Sequence, residues 1–185
     1  MELTLTRALD LFYEKHGYGR EGGIDSDWIW LKFRYFSLPI PNVKGRRENV
    51  WRHDMLHILL DYDTSWQGEA QVAGWVLGSG GWGRFYVAWL FALSMFSVAI
   101  TFFPLKTFRA FVRGRNTLSP YLLGITKENL YADTLPSLKK QFKFDLTPFK
   151  ATLTDRLLFG FWFLVGLLWL MLPILTVLFV FYAFM

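Results

Sequence analysis

The chain has 185 residues, 53% of them hydrophobic and 19% aromatic, with a formal charge of +5 and no cysteine. That much apolar material excludes a disordered tail, the length allows one domain plus a membrane segment, and the absence of thiols excludes a disulfide framework, a thiolate zinc site and a cysteine nucleophile. Charge is uneven: residues 1–84 hold ten Lys/Arg against eleven Asp/Glu, and residues 85–185 hold ten against four.

From the N-terminus, Leu5, Ala8, Leu9, Phe12 and Tyr13 recur at helical spacing, and Gly17, Gly19, Gly22 and Gly23 stop that helix. Glu2, Arg7, Asp10 and Glu14 interrupt it, so no secretory-type apolar region is expected there. An aromatic segment follows over residues 28–36. Pro39 and Pro41 keep the next stretch out of a helix interior. A strongly periodic helix is predicted over 48–61, then a turn over 62–65. Thr64 and Gln67 fit a capping box, which places a second helix from about Ser65 to the glycine run that begins at Gly78. No strand is predicted, and the fold class expected is all-α.

Two stretches, 85–105 and 157–185, lack any charged side chain and are each long enough to cross about 30 Å of hydrocarbon as a helix. If both crossed, the basic connection from Lys106 to Arg156 would lie across the membrane from the main domain, against the positive-inside tendency. The reading adopted is therefore a helical domain over residues 1–150 and a C-terminal anchor over 157–185, with domain and basic connection on the cytoplasmic face of a bacterial inner membrane. Because Pro173 divides the anchor, a kinked span and a re-entrant hairpin both fit. Trp82, Tyr86 and Trp89 before the apolar centre of the first stretch, with Lys106, Arg109, Arg113 and Arg115 after it, suit headgroup-level anchoring or a solvated basic face. Basic residues placed between apolar stretches point to membrane lipid as partner, not nucleic acid.

The chemistry-bearing residues are His53, Asp54 and His57, then eleven residues, then Glu69. The two histidines are four apart and share a helix face, and Asp54 lies three before His57 at the edge of that face. A short turn brings Glu69 back to the level of His57. Two imidazoles and two carboxylates suit zinc or a non-haem iron, with room for water or substrate. The same residues also fit ordinary helix packing, with Asp54 paired to Arg52 or Arg47. Zinc-protease chemistry is disfavoured, because Asp54 stands where that motif needs a glutamate base. The glycines from 78 to 83 read as a helix stop, since no lysine and serine or threonine pair follows as in a phosphate loop.

These residues resemble the family of coenzyme Q biosynthesis protein four, whose signature is His-Asp-x-x-His, eleven residues, then Glu. Here it stands as His53, Asp54, His57 and Glu69, with Gly68 before the glutamate. A second likeness lies in Phe111 to Arg115, Tyr121 to Leu123 and Glu128 to Phe142, so that the resemblance covers most of residues 45–144. It implies an all-helical, membrane-associated protein in which His53, Asp54, His57 and Glu69 hold a divalent metal, zinc or alternatively ferrous iron, beside a channel for a polyprenyl tail. The implied reaction is a decarboxylase/hydroxylase step: oxidative decarboxylation of a polyprenylated hydroxybenzoate in ubiquinone biosynthesis. The alternative it implies is a lipid-binding scaffold for other quinone-biosynthesis enzymes, or a homo-oligomer, with a structural metal. Arg113 and Arg115 are candidates to steer the substrate carboxylate. The glycine-rich turn and the tail over 157–185 depart from the family pattern.

Overall fold

The computed structural model describes residues 2–32, 37–84, 86–123, 126–146 and 149–183. It is mostly helical. In chain order the elements are α1 (Leu5–His16), a hairpin of β1 (Trp28–Lys32) and β2 (Ser37–Pro41), α2 (Lys44–Arg47), α3 (Val50–Leu60), α4 (Trp66–Gly78), α5 (Tyr86–Phe102), α6 (Pro104–Asn116), α7 (Lys127–Tyr131), α8 (Leu135–Gln141) and α9 (Leu153–Ala183).

Local chemistry sets the ends of the site helices. Thr4 caps α1 by accepting from the Arg7 N–H, and Gly17 closes it in the left-handed region at φ 64°. Asp61 closes α3 the same way at φ 58°. The cap of α4 is Ser65, one residue later than the predicted Thr64: the Ser65 hydroxyl accepts from the Gly68 N–H, while Thr64 lies against His16 Nδ1. The box position is then Gly68, which has no side chain to reciprocate. It leaves room instead for Asp63, whose backbone carbonyl would overlap any Cβ placed there.

The centre of the molecule is the α4–α6 pair. Cβ atoms at Gly74 and Gly78 would run into the Thr107 and Phe111 carbonyls, and one at Gly114 into the Trp75 carbonyl, so the two backbones approach as closely as glycine permits. On one side Leu5, Leu9, Trp51, Met55, Leu56, Leu59, Trp75, Leu138 and Phe142 form the main core, joining α1, α3, α4 and α8. On the other, Ala73, Leu77, Phe96, Ile100 and Phe111 form a second core, joining α4, α5 and α6.

Three expectations are corrected or sharpened. The β1–β2 hairpin is a departure from an all-α fold: Trp28 pairs with Pro41, Trp30 with Pro39 and Lys32 with Ser37 in antiparallel register. Its alternation is hidden in the sequence because both faces are apolar, and the two prolines sit on an edge, where no ladder N–H is required. The hairpin tip, 33–36, lies outside the described residues. Second, α9 runs unbroken through Pro173 for 31 residues, so it is not a re-entrant hairpin. It is the one helix among the described residues that is long and apolar enough to cross a membrane, and only 6% of its apolar window over 153–173 is buried. Residues 184–185 of the expected anchor lie outside the description. Third, α5 has only 17 residues, about 25 Å at 1.5 Å per residue, short of a bilayer core. Pro104 ends it by opening α6.

The start of α9 belongs to the folded body. Thr152 and Asp155 cap it reciprocally, the Thr152 N–H donating to Asp155 and the Asp155 N–H donating to Thr152 Oγ1. Phe159, Trp162 and Phe163 pack on the second core, Gly166 lies against Phe96, Ser97 and Ile100, and Trp169 Nε1 donates to Ser94 Oγ at 3.1 Å.

Candidate metal centre

His53 and His57 stand one turn apart on α3, with ring centroids 4.8 Å apart and planes inclined at 65°. Glu69, in the first turn of α4, reaches between them. Its Oε2 lies 3.3 Å from His53 Nε2 and its Oε1 lies 3.3 Å from His57 Nε2. One donor atom from each of the three residues falls within 4.8 Å of the others. The turn is what aims Glu69: the left-handed Asp61 reverses the chain after α3, and Ser65 and Gly68 start α4 at once.

The same turn settles which nitrogen of His57 carries its proton. Nδ1 lies 3.1 Å from the Tyr62 carbonyl. A carbonyl only accepts, so Nδ1 carries a proton and Nε2 is the nitrogen turned toward Glu69. His57 is buried, and its Nε2 has no hydrogen-bond partner. Facing that carboxylate, Nε2 meets it either as a second N–H or, with a cation between them, as a lone pair. The residues therefore fit a bound cation, with Tyr62 holding the imidazole in place from behind.

Asp54 takes a different position from the other three. Its Oδ1 lies 3.3 Å from His53 Nδ1, on the side of the ring away from Glu69, while Oδ2 is buried without a hydrogen-bond partner. A Cβ at Gly22 would come within 3.1 Å of that oxygen. The three-residue donor group is thus His53, His57 and Glu69, with Asp54 behind His53. Burial on its own would lower the His53 pKa, but the Glu69 and Asp54 carboxylates outweigh it and push the imidazole up to about 10. Burial on its own would raise Glu69, yet both imidazoles together hold its carboxyl well below the usual range.

The arginines expected to meet a substrate carboxylate are engaged by the protein. Arg113 donates through Nη1 to the Leu60 carbonyl and through Nη2 to the Phe144 carbonyl, both at 2.8 Å, and its guanidinium lies 5.4 Å from the Tyr62 ring centroid. Arg115 Nε donates to Asp155 Oδ1 at 2.6 Å, fastening α6 to the start of α9. Trp82 is buried against Tyr121 and Trp89 stacks on Trp162, so neither indole stands free as a headgroup anchor. Asp54 is paired with His53, not with Arg52 or Arg47; Arg47 pairs with Asp27 at 3.0 Å.

Sequence reasoning missed the Tyr62 carbonyl, because a backbone acceptor has no residue signature. It also missed the ring of Phe12, stacked 6.1 Å from His57 by centroid, because α1 meets α3 only in the folded chain. Comparison with known proteins matched no family model, no curated protein and no solved structure.

Proposed function

We propose that this protein binds a divalent metal, zinc or alternatively ferrous iron, through His53 Nε2, His57 Nε2 and Glu69, and uses it in oxidative decarboxylation of a polyprenylated hydroxybenzoate at a membrane. The observation that carries the metal assignment is the buried His57 Nε2, without a hydrogen-bond partner and converging with His53 on one carboxylate. Three protein ligands leave coordination positions for water or substrate, an arrangement typical of reacting sites and not of closed structural ones. The reaction itself is supported by the resemblance of His53, Asp54, His57 and Glu69, at their spacing, to the ubiquinone-biosynthesis signature.

The metal, when bound, supplies Lewis acidity toward a carboxylate or toward an oxygen donor. The residues of the chain do the rest. Tyr62 fixes the His57 tautomer, and Asp54 orients His53 so that its Nε2 faces Glu69. In the reaction proposed, the ring carboxylate leaves as carbon dioxide and a hydroxyl takes its carbon, a two-electron oxidation that requires an oxidant of the dioxygen class. Helix α9 holds this site at the bilayer, where a polyprenyl tail resides.

Elemental analysis of detergent-purified protein, with mass spectrometry of its extracted lipids, tests the proposal. Near-stoichiometric metal in the wild type, lost in both His57→Ala and Glu69→Ala, with a prenylated aromatic in the extract, is the expected result. A folded wild type purified without chelator and free of metal would overturn it.

A further inference from the structure

Residues 28–47 carry five cations, Lys32, Arg34, Lys44, Arg46 and Arg47, and no acid, inside a half of the chain that is otherwise acidic. Five aromatic residues share the segment. The structure makes the first part of it a β-ribbon. Residues directly opposite in antiparallel strands share a face, so Trp28, Trp30, Pro39 and Pro41 lie together on one side. Trp28 is 54% exposed and Trp30 is 58% exposed, unlike the buried or stacked Trp51, Trp75, Trp82 and Trp89 of the domain. Leu38, on the opposite face, is exposed as well.

We propose that the β1–β2 hairpin is a second membrane contact, seating Trp28 and Trp30 among the headgroups of an anionic bilayer. Indoles prefer that depth, where the ring leaves water and its N–H keeps a partner, and acid-free cationic sequence complements the negative surface. A protein strand is a poorer occupant, because the outward-facing positions 39 and 41 of β2 are prolines and have no N–H to offer an added strand. The hairpin is also joined to the apolar helices by packing. It leads through Asn42 into α2, α2 packs on α5, and α5 packs on α9. The outer face of α5 adds the exposed Tyr86, Leu90 and Phe91. The acids bounding the segment are Asp25, Asp27 and Glu48; Asp27 is paired with Arg47 and Glu48 with Lys44.

The cysteine-free chain makes the test direct, since an introduced cysteine is the single labelling site. Full-length Trp30→Cys, Leu168→Cys in α9 and Asp10→Cys on the exposed side of α1 are each labelled with an environment-sensitive fluorophore. All three are reconstituted in phosphatidylcholine vesicles containing phosphatidylglycerol and challenged with headgroup-attached nitroxide lipid. A blue shift and quenching at position 30, with neither at position 10, is the expected result, and Trp28→Cys reproduces it. A label at position 30 that remains as aqueous as the one at position 10 overturns the proposal and leaves the indole face to a protein partner. The label at position 168 reports separately on the α9 anchor, so the hairpin and the anchor can fail independently.

Discussion

At the scale of single residues, the site is a balance between a proton and a cation on His53. In metal-free protein the His53 imidazolium is stabilised by Glu69 and Asp54. Because its pKa is raised from an ordinary 6.5 to about 10, its contribution to folding is complete below 6.5 and is lost as pH rises through about 10. The depressed Glu69 contributes in the opposite sense: its share is present above an unfolded carboxyl value of 4.5 and is lost as pH falls. The melting temperature of metal-free protein should therefore be highest between those two ordinary values and decline on the alkaline side. Metal has to displace the His53 proton, so zinc affinity should rise by about tenfold per pH unit below 10, a slope that competition with a chelating dye measures. Removing the carboxylate tests the origin of the shift. In Glu69→Gln the imidazole titration of His53, followed by NMR, should move down from about 10, and an unmoved titration would deny Glu69 its role.

Arg113 belongs at the same scale. Its two donors close the Leu60 and Phe144 carbonyls behind the site. Arg113→Ala leaves both acceptors without that partner, so destabilisation of roughly 1.5–3 kcal/mol is expected with metal content retained. Chemical denaturation and elemental analysis of the same sample separate that outcome from a direct ligand role.

At the scale of elements, the α4–α6 contact is the least tolerant place in the fold. Gly78 opposes the Phe111 backbone, which cannot swing aside as a side chain does. Gly78→Val should cost about 1–3 kcal/mol or more through overpacking, read as a fall in melting temperature. Exposed Gly160, with nothing near its Cβ position, should accept alanine without loss and serves as the control. The helices flanking the site were legible in the sequence because their signals are short-range: the Leu5–Tyr13 spacing, the Gly17 stop and the apolar period of α3 all act within a few turns. The β1–β2 hairpin was not, since a ribbon apolar on both faces shows no alternation. The α4 cap was misplaced by one residue because Thr64 and Ser65 are chemically equivalent caps, and only the geometry of the turn chooses between them.

At the scale of the molecule, the main consequence is that α9 is both core and candidate membrane helix. Its first half covers Phe96, Ile100 and Phe111, and beyond residue 170 its described side chains are exposed. Truncation after Ala151 should uncover that core and yield aggregated protein, whereas truncation after Met171 should preserve the helical signal in circular dichroism. Vesicle flotation of the longer truncation then reports how much membrane affinity the distal half of α9 contributes. If the shorter truncation proved soluble and folded, α9 would be an appended anchor and not part of the domain.

The sequence by itself determined the types and spacing of the candidate donor residues, the positions of the site helices to within a residue or two, and which segments are strongly apolar. Each of these is a property of residue type and of spacing along a few turns, which the chain carries before it folds. Only the tertiary structure decided that Glu69 faces both imidazoles while Asp54 lies behind one of them, that Arg113 and Arg115 brace the fold, and that α9 packs before it projects. Those outcomes depend on contacts between residues tens of positions apart. Their geometry follows from how closely α4 and α6 pack and from where each turn returns the chain.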